Sequence, residues 1–182
     1  MSGKAAAGEL HQRYELIHGG DSEALRAELE RMKASGRPVV LVSACLLGVR
    51  CRYDGHDKRD DAAVARAAGG DAEILPLCPE VLARLGVPRP AITLSPDGKL
   101  ATDARGRDVT GQLEAGVRLA DVIAREAGAV RALLKERSPS CGVHEVHGAD
   151  GVRPGQGRFA ARLHKRGLPI VSERDDAERD AT

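Results

Sequence analysis

Aromatic side chains are nearly absent from this chain: Tyr14, Tyr53 and Phe159, with no tryptophan, in 182 residues. A core must therefore be filled by Ala, Val, Leu and Ile. Three aromatics also give little material for the stacking platforms that bind single-stranded nucleic acid. Excess charge of either sign is missing too. Lys and Arg number 28 against 27 Asp and Glu, a formal net charge of +1. No global field therefore steers the chain toward nucleic acid or an anionic membrane. No apolar run approaches the roughly 20 residues that span a bilayer, and residues 1–8 lack the apolar stretch of a secretory signal. On that basis the chain reads as cytoplasmic, with no membrane partner and no strong nucleic-acid signal. No G-x-G-x-x-G follows the first strand-like run, and Gly155-Gln156-Gly157-Arg158 lacks the spacing of a P-loop. Nucleoside triphosphates and dinucleotides get no support. Nor does any cysteine pair show the C-x2-4-C spacing of a structural zinc site.

What is present is an alternation of strand-like and helix-like runs. Val39-Val40-Leu41-Val42 reads as a buried strand, residues 60–68 as a helix stopped by Gly69-Gly70, and residues 73–77 as a second strand. Residues 79–85 suit a turn or two of helix. Residues 92–94 and 100–102 flank Pro96-Asp97-Gly98, a hairpin signal. Thr110 reads as the cap of a long helix to Ala127, with Leu113, Val117, Ala120 and Ile123 on one face. A strand over 130–134, a helix over 158–166 and a strand over 169–171 complete the pattern. The expectation is a single α/β domain over 37–174, its sheet mostly parallel with helices on both faces. Residues 1–36 read as an N-terminal helical extension: residues 1–8 loose, then a helix capped by Asp21 or Ser22 and stopped by Gly36. Residues 175–182 read as a charged tail.

The four cysteines carry most of the functional information. Cys45 follows the first strand, Cys78 the second, and Cys141 the third strand and the turn Glu136-Arg137-Ser138-Pro139-Ser140. In a parallel sheet the strand carboxyl ends share one edge, where ligands bind. Three occupants of that edge stand open at this point: merely buried thiols, a zinc ion, or an iron–sulfur cluster, which tolerates ligands dispersed along the chain. Three cysteines on a four-iron cluster leave one iron open as a Lewis acid. Cys51, between Arg50 and Arg52, ends no strand and is placed outside that set. Were it exposed, those arginines would lower its pKa and suit it to carry a persulfide. That defines two rivals to a cluster enzyme: a cysteine persulfide sulfurtransferase and a non-catalytic metal or iron–sulfur sensor. Glu80, two residues past Cys78, and Ser138, three before Cys141, are acid–base candidates beside the thiols. Their plainer readings are a favourable helix N-terminal charge and a turn former. Lys135 and Arg137 add positive charge to the same edge, Tyr53-Asp54-Gly55 offers a lining turn, and the N–H groups at 155–158 offer an anion contact.

The strings Ser43-Ala44-Cys45-Leu46-Leu47-Gly48 through Cys51-Arg52-Tyr53-Asp54-Gly55, then Cys78-Pro79-Glu80, then Ser138-Pro139-Ser140-Cys141-Gly142, resemble the thiouracil desulfurase family, long an uncharacterised bacterial domain. The resemblance spans about residues 37–174. It implies a 4Fe–4S cluster on Cys45, Cys78 and Cys141, and a small thiolated pyrimidine base as substrate. The substrate sulfur would meet the open iron, a soft ligand suited to it. Glu80 and Ser138 would steer the water that replaces sulfur by oxygen, without net electron transfer. It also implies the removal of thiolated bases left by RNA degradation. One departure is Ala91-Ile92-Thr93 after Pro88-Arg89-Pro90, where many relatives carry a carboxylate.

Overall fold

The computed structural model describes residues 3–175. Its centre is a four-stranded, wholly parallel sheet in the order β2-β1-β5-β8: β1 Val39–Ser43, β2 Glu73–Leu77, β5 Ala129–Leu134 and β8 Ile170–Ser172. Val39 and Leu41 of β1 face one layer and Val40 and Val42 the other, so every residue of the strand is buried. That two-residue period is why a continuous apolar run can form a central strand. One face is covered by α5 (Thr110–Glu126) and α6 (Arg158–Lys165), through Leu113, Val117, Ala120, Ile123, Phe159 and Leu163. The other is covered by α1 (Gly3–His18) and α3 (Asp61–Ala68), through Tyr14 and Ala63. The expected α/β architecture, with helices on both faces of a parallel sheet, is therefore observed. Among the described residues no helix is long and apolar enough to cross a membrane.

Several local expectations need correction. The segment expected to be loose over 1–8 enters α1 at Gly3, its Ala5-Ala6-Ala7 run being strongly helix-forming. Asp21 does cap α2 (Ser22–Ala34), accepting the N–H groups of Glu23 and Ala24 at 3.0 Å. Thr110 does not cap α5: Asp108 accepts the Thr110 N–H at 2.9 Å, and the Thr110 hydroxyl accepts the Ala101 N–H at 2.8 Å. It thereby ties α5 to the antiparallel hairpin of β3 (Ile92–Leu94) and β4 (Ala101–Asp103). A second hairpin, β6 (Glu145–Gly148) with β7 (Gly151–Pro154), was not expected. Of the charged tail, everything beyond Asp175 lies outside the described residues.

α1 and α2 lie against the sheet rather than away from it. Glu73, at the start of β2, is buried among Arg13 of α1, Arg31 of α2 and Arg37. Burial would raise its carboxyl, but the arginine hydrogen bonds and charges outweigh it and hold the group below the usual range.

α4 (Pro79–Leu82), one turn long, packs on α5 through Gly116. A Cβ at Gly116 would overlap the Pro79 carbonyl oxygen and lie 2.6 Å from the Ala83 Cβ. In a free helix Gly→Ala gains roughly 1 kcal/mol, but overpacking a tight contact costs about 1–3 kcal/mol. The overlap should win: Gly116→Ala is expected to lower the urea midpoint, and a raised midpoint would contradict the packing.

Candidate active site

The carboxyl ends of β1, β2 and β5 open onto a cavity of about 370 Å³. Its wall contains all four cysteines together with Glu80, Arg89, Ser138 and Ser140. Cys45 sits inside a single 3-10 turn, Ala44–Leu47, that follows β1 directly. Cys78 follows β2 and occupies the residue just before α4, so Glu80 falls on the first turn of that helix. Cys141 lies seven residues beyond β5, in the loop that also carries Ser138. The structure thus brings together every residue singled out from the sequence as a ligand or acid–base candidate.

Two clamps hold that loop. Glu136, which lies just after β5, accepts the N–H groups of Val143, His144 and Glu145 on Oε1, at 3.0, 3.0 and 2.9 Å. Burial would raise its carboxyl; the backbone donors outweigh this and hold it below the usual carboxylate range. Between the clamps Arg137 adopts a left-handed φ of 63°, which costs roughly 1–2 kcal/mol for a residue with a Cβ. The second clamp is the start of α6. Gly157 donates its N–H to Gly142 O, Arg158 to Pro139 O, and Phe159 and Ala160 to Ser140 O. Of the N–H groups expected to meet an anion, those of Gly155, Gly157 and Arg158 are therefore taken by backbone carbonyls. Gly157 has an extended backbone with a φ of −64° that any residue adopts, yet its Cβ would lie 2.8 Å from Cys141 N, so close approach rather than backbone freedom requires glycine here.

Inside the cavity Glu80 divides its oxygens. Oε2 accepts Arg89 Nε and Nη2 at 2.8 and 2.6 Å. Oε1 accepts the Ser140 hydroxyl at 2.8 Å and the Ser138 hydroxyl at 3.4 Å. Ser138 Oγ in turn accepts the Ser140 and Cys141 N–H groups at 3.2 and 3.0 Å, which leaves its own proton for Glu80 or Ser140.

Cys51 does not sit apart. It is buried, its carbonyl accepts the Cys78 thiol at 3.8 Å, and its own thiol is close enough to Cys45 and Cys78 to feel both electrostatically. Those contacts and burial push its pKa up, the opposite of what flanking arginines would do at the surface. The bond from Cys51 outweighs burial at Cys78 and favours its thiolate, while burial pushes the Cys141 thiol up to about 12. All four thiols are free. Among the described residues no three His, Cys, Asp or Glu side chains are grouped tightly enough for one metal ion, so the thiols are not pre-arranged as a mononuclear site.

Sequence reasoning missed His18 and Arg89. His18, from α1, donates Nδ1–H to Tyr14 O and accepts the Cys78 N–H on Nε2 at 3.1 Å. Burial depresses its pKa to about 4, which matches the neutral ring that this bonding requires. Neither contact has a local sequence signal. His147, Arg52, Tyr53 and Lys58 also line the cavity, as do Lys135, Arg137 and Arg174. His144 pairs with Asp175 instead. Ala91, Ile92 and Thr93, the stretch where the resemblance expects a carboxylate, line the cavity as well.

The profile of the 2-thiouracil desulfurase family matches residues 40–175. The chain belongs to that family. It is 32% identical over 149 residues to the uncharacterized protein YbbK of Bacillus subtilis (strain 168), covering 75% of this chain and 97% of that protein. A solved structure of the 4Fe-4S-dependent thiouracil desulfidase TudS matches with a TM-score of 0.67 at 34% identity, covering 80% of this chain and 96% of that one.

The Glu136 clamp makes a pH-dependent contribution to stability. A carboxyl held below its unfolded value stabilises the fold above that value and loses the effect as pH falls through the folded one. Glu136→Gln should lower stability at neutral pH by about 1–3 kcal/mol, the cost of leaving buried donors poorly paired, with a smaller difference in acid. Urea titrations at several pH values check this; parallel curves for the two proteins would contradict it.

Proposed function

We propose that this chain removes the sulfur of a thiolated pyrimidine base, 2-thiouracil to uracil in type, and does so in the cytoplasm on bases left by RNA degradation. The observation that carries the reading is the convergence of Cys45, Cys78 and Cys141 with Glu80 and Ser138 on one cavity at the sheet edge. Four free thiols suit a reducing compartment. The structural relative TudS, a thiouracil desulfidase dependent on a 4Fe-4S cluster, supports the same chemistry here.

Cys45, Cys78 and Cys141 are the residues that would hold a 4Fe–4S cluster. Unpaired thiols scattered along the chain but facing one cavity fit that group. When bound, the cluster supplies a Lewis-acidic iron for the soft sulfur of the substrate. The protein's own part is to place and deprotonate water. Glu80 Oε1 faces the Ser138 and Ser140 hydroxyls, so it has the position of a general base with two fixed donors around it. Oxygen from water replaces sulfur at the ring carbon. One water is consumed and one hydrogen sulfide released, with no electron gained or lost.

The persulfide rival needs a thiolate within reach of a sulfur donor. Cys51 is buried and holds its proton, which favours desulfuration over persulfide carriage. A pure sensor would have no use for a carboxylate and a serine pair beside the thiols.

Anaerobically reconstituted protein should absorb broadly in the visible and convert 2-thiouracil to uracil. Cys78→Ala should abolish both. Glu80→Gln should keep the absorbance and lose about 100-fold or more in kcat, the usual weight of a general base. Turnover by a cluster-free preparation would sink the proposal.

A further inference from the structure

We propose that Arg89 is a positioning residue that fixes the orientation of Glu80 and ties it to the thiol site. The inference rests on the desulfurase reading, in which Glu80 is the base. Arg89 and Glu80 have side chains only 4% and 9% exposed. The guanidinium spends Nε and Nη2 on a single oxygen, Glu80 Oε2, at 2.8 and 2.6 Å. Its Nη1 donates to the Cys51 carbonyl at 3.0 Å and to the Gly86 carbonyl at 2.9 Å. The Arg89 backbone N–H is anchored as well, on Tyr53 O at 2.8 Å. With four side-chain donors engaged, the planar group has no freedom to swivel.

A carboxylate torsion is otherwise broad and its two oxygens are equivalent, so an unrestrained Glu80 would have a wide choice of plane orientations, most of them aiming no oxygen at the serines. Arg89 removes that choice. It occupies Oε2 completely and leaves Oε1 to the serines and the cavity. The same plane holds the carbonyl of Cys51, whose thiol lies beside Cys45 and Cys78. One rigid group thus spans the base and the thiols. Stability does not explain the arrangement. A buried ion pair gains little over well-packed apolar residues of similar volume, because desolvation cancels most of the attraction. Lysine would not replace it: an ammonium is a point charge and lacks the planar fork that reaches Glu80 and two carbonyls together.

The test uses Arg89→Lys and Arg89→Met in full-length protein reconstituted anaerobically, with iron per chain, KM and kcat measured beside wild type. Iron and KM are expected to stay within about twofold, while kcat falls about 100-fold in both variants, the scale of a misplaced group. Added guanidinium ion should restore part of the lost kcat in Arg89→Met. Wild-type turnover with an unchanged kcat in Arg89→Met would overturn the inference and leave the desulfurase reading standing. A loss of kcat that only follows loss of iron would overturn it too, since Arg89 would then be scaffold. If wild type itself turns over no thiolated base, the functional reading fails first. Arg89 is then judged on a crystal structure of Arg89→Met. A Glu80 carboxylate turned away from Ser140 supports the positioning role, and an unmoved one overturns it.

Discussion

Glu136 gathers four backbone N–H groups, those of Arg137, Val143, His144 and Glu145, on one carboxylate oxygen, and the course of the loop from Arg137 to Gly142 depends on that gathering. A buried carboxylate is expensive unless it is hydrogen-bonded; here Oε1 is used to close a ring of chain around Ser138 and Cys141, while Oε2 is buried without a hydrogen-bond partner. Glu136 follows β5 by two residues, so the clamp inherits the position of the sheet. Glu173, just past β8, extends it: it accepts the Glu136 N–H and pairs with Lys135, both at 2.7 Å. Parallel pairing of β5 with β1 and β8 is thus transmitted to the loop through carboxylates rather than through apolar contact.

The other half of the site is set by short distances between backbones. α6 enters the loop with four N–H groups on its carbonyls, and Gly157 allows that approach. Gly116 does the same for α4, which holds Glu80 one turn from Cys78. The two glycines sit on helices packed against the same sheet face, so Glu80 and Ser138 face each other because α4 and the loop are each pressed to a fixed depth. From the opposite face α1 contributes His18, whose ring accepts the Cys78 N–H. The segment before the α/β core therefore supports a cysteine that the core alone would leave partly unsatisfied.

Much of this was legible in the sequence, and the exceptions have physical reasons. The apolar run of β1 and the helical period of α5 announced themselves because burial on two faces and on one stripe leaves distinct spacings. Cys45, Cys78 and Cys141 stood out because each followed a strand. The β6–β7 hairpin did not: Glu145-Val146-His147-Gly148 and Gly151-Val152-Arg153-Pro154 are short and carry only one apolar residue each besides Pro154, and they pair with each other apart from the main sheet. Arg89 and His18 act through contacts across 9 and 60 residues of chain, for which a single sequence has no marker. The nearness of Cys51 to Cys45 and Cys78 has no sequence marker either, because its loop folds back onto them, a tertiary event without periodicity.

On the proposed reading, thiols delivered by three strand ends form one cluster site. Iron and acid-labile sulfide per chain, assayed on protein kept anaerobic from purification onward, test it most directly. Iron and sulfide are expected in equal amounts approaching four of each per chain, as a 4Fe–4S cluster requires. Protein that takes up zinc in their place, or no iron and sulfide under reconstituting conditions, would contradict it.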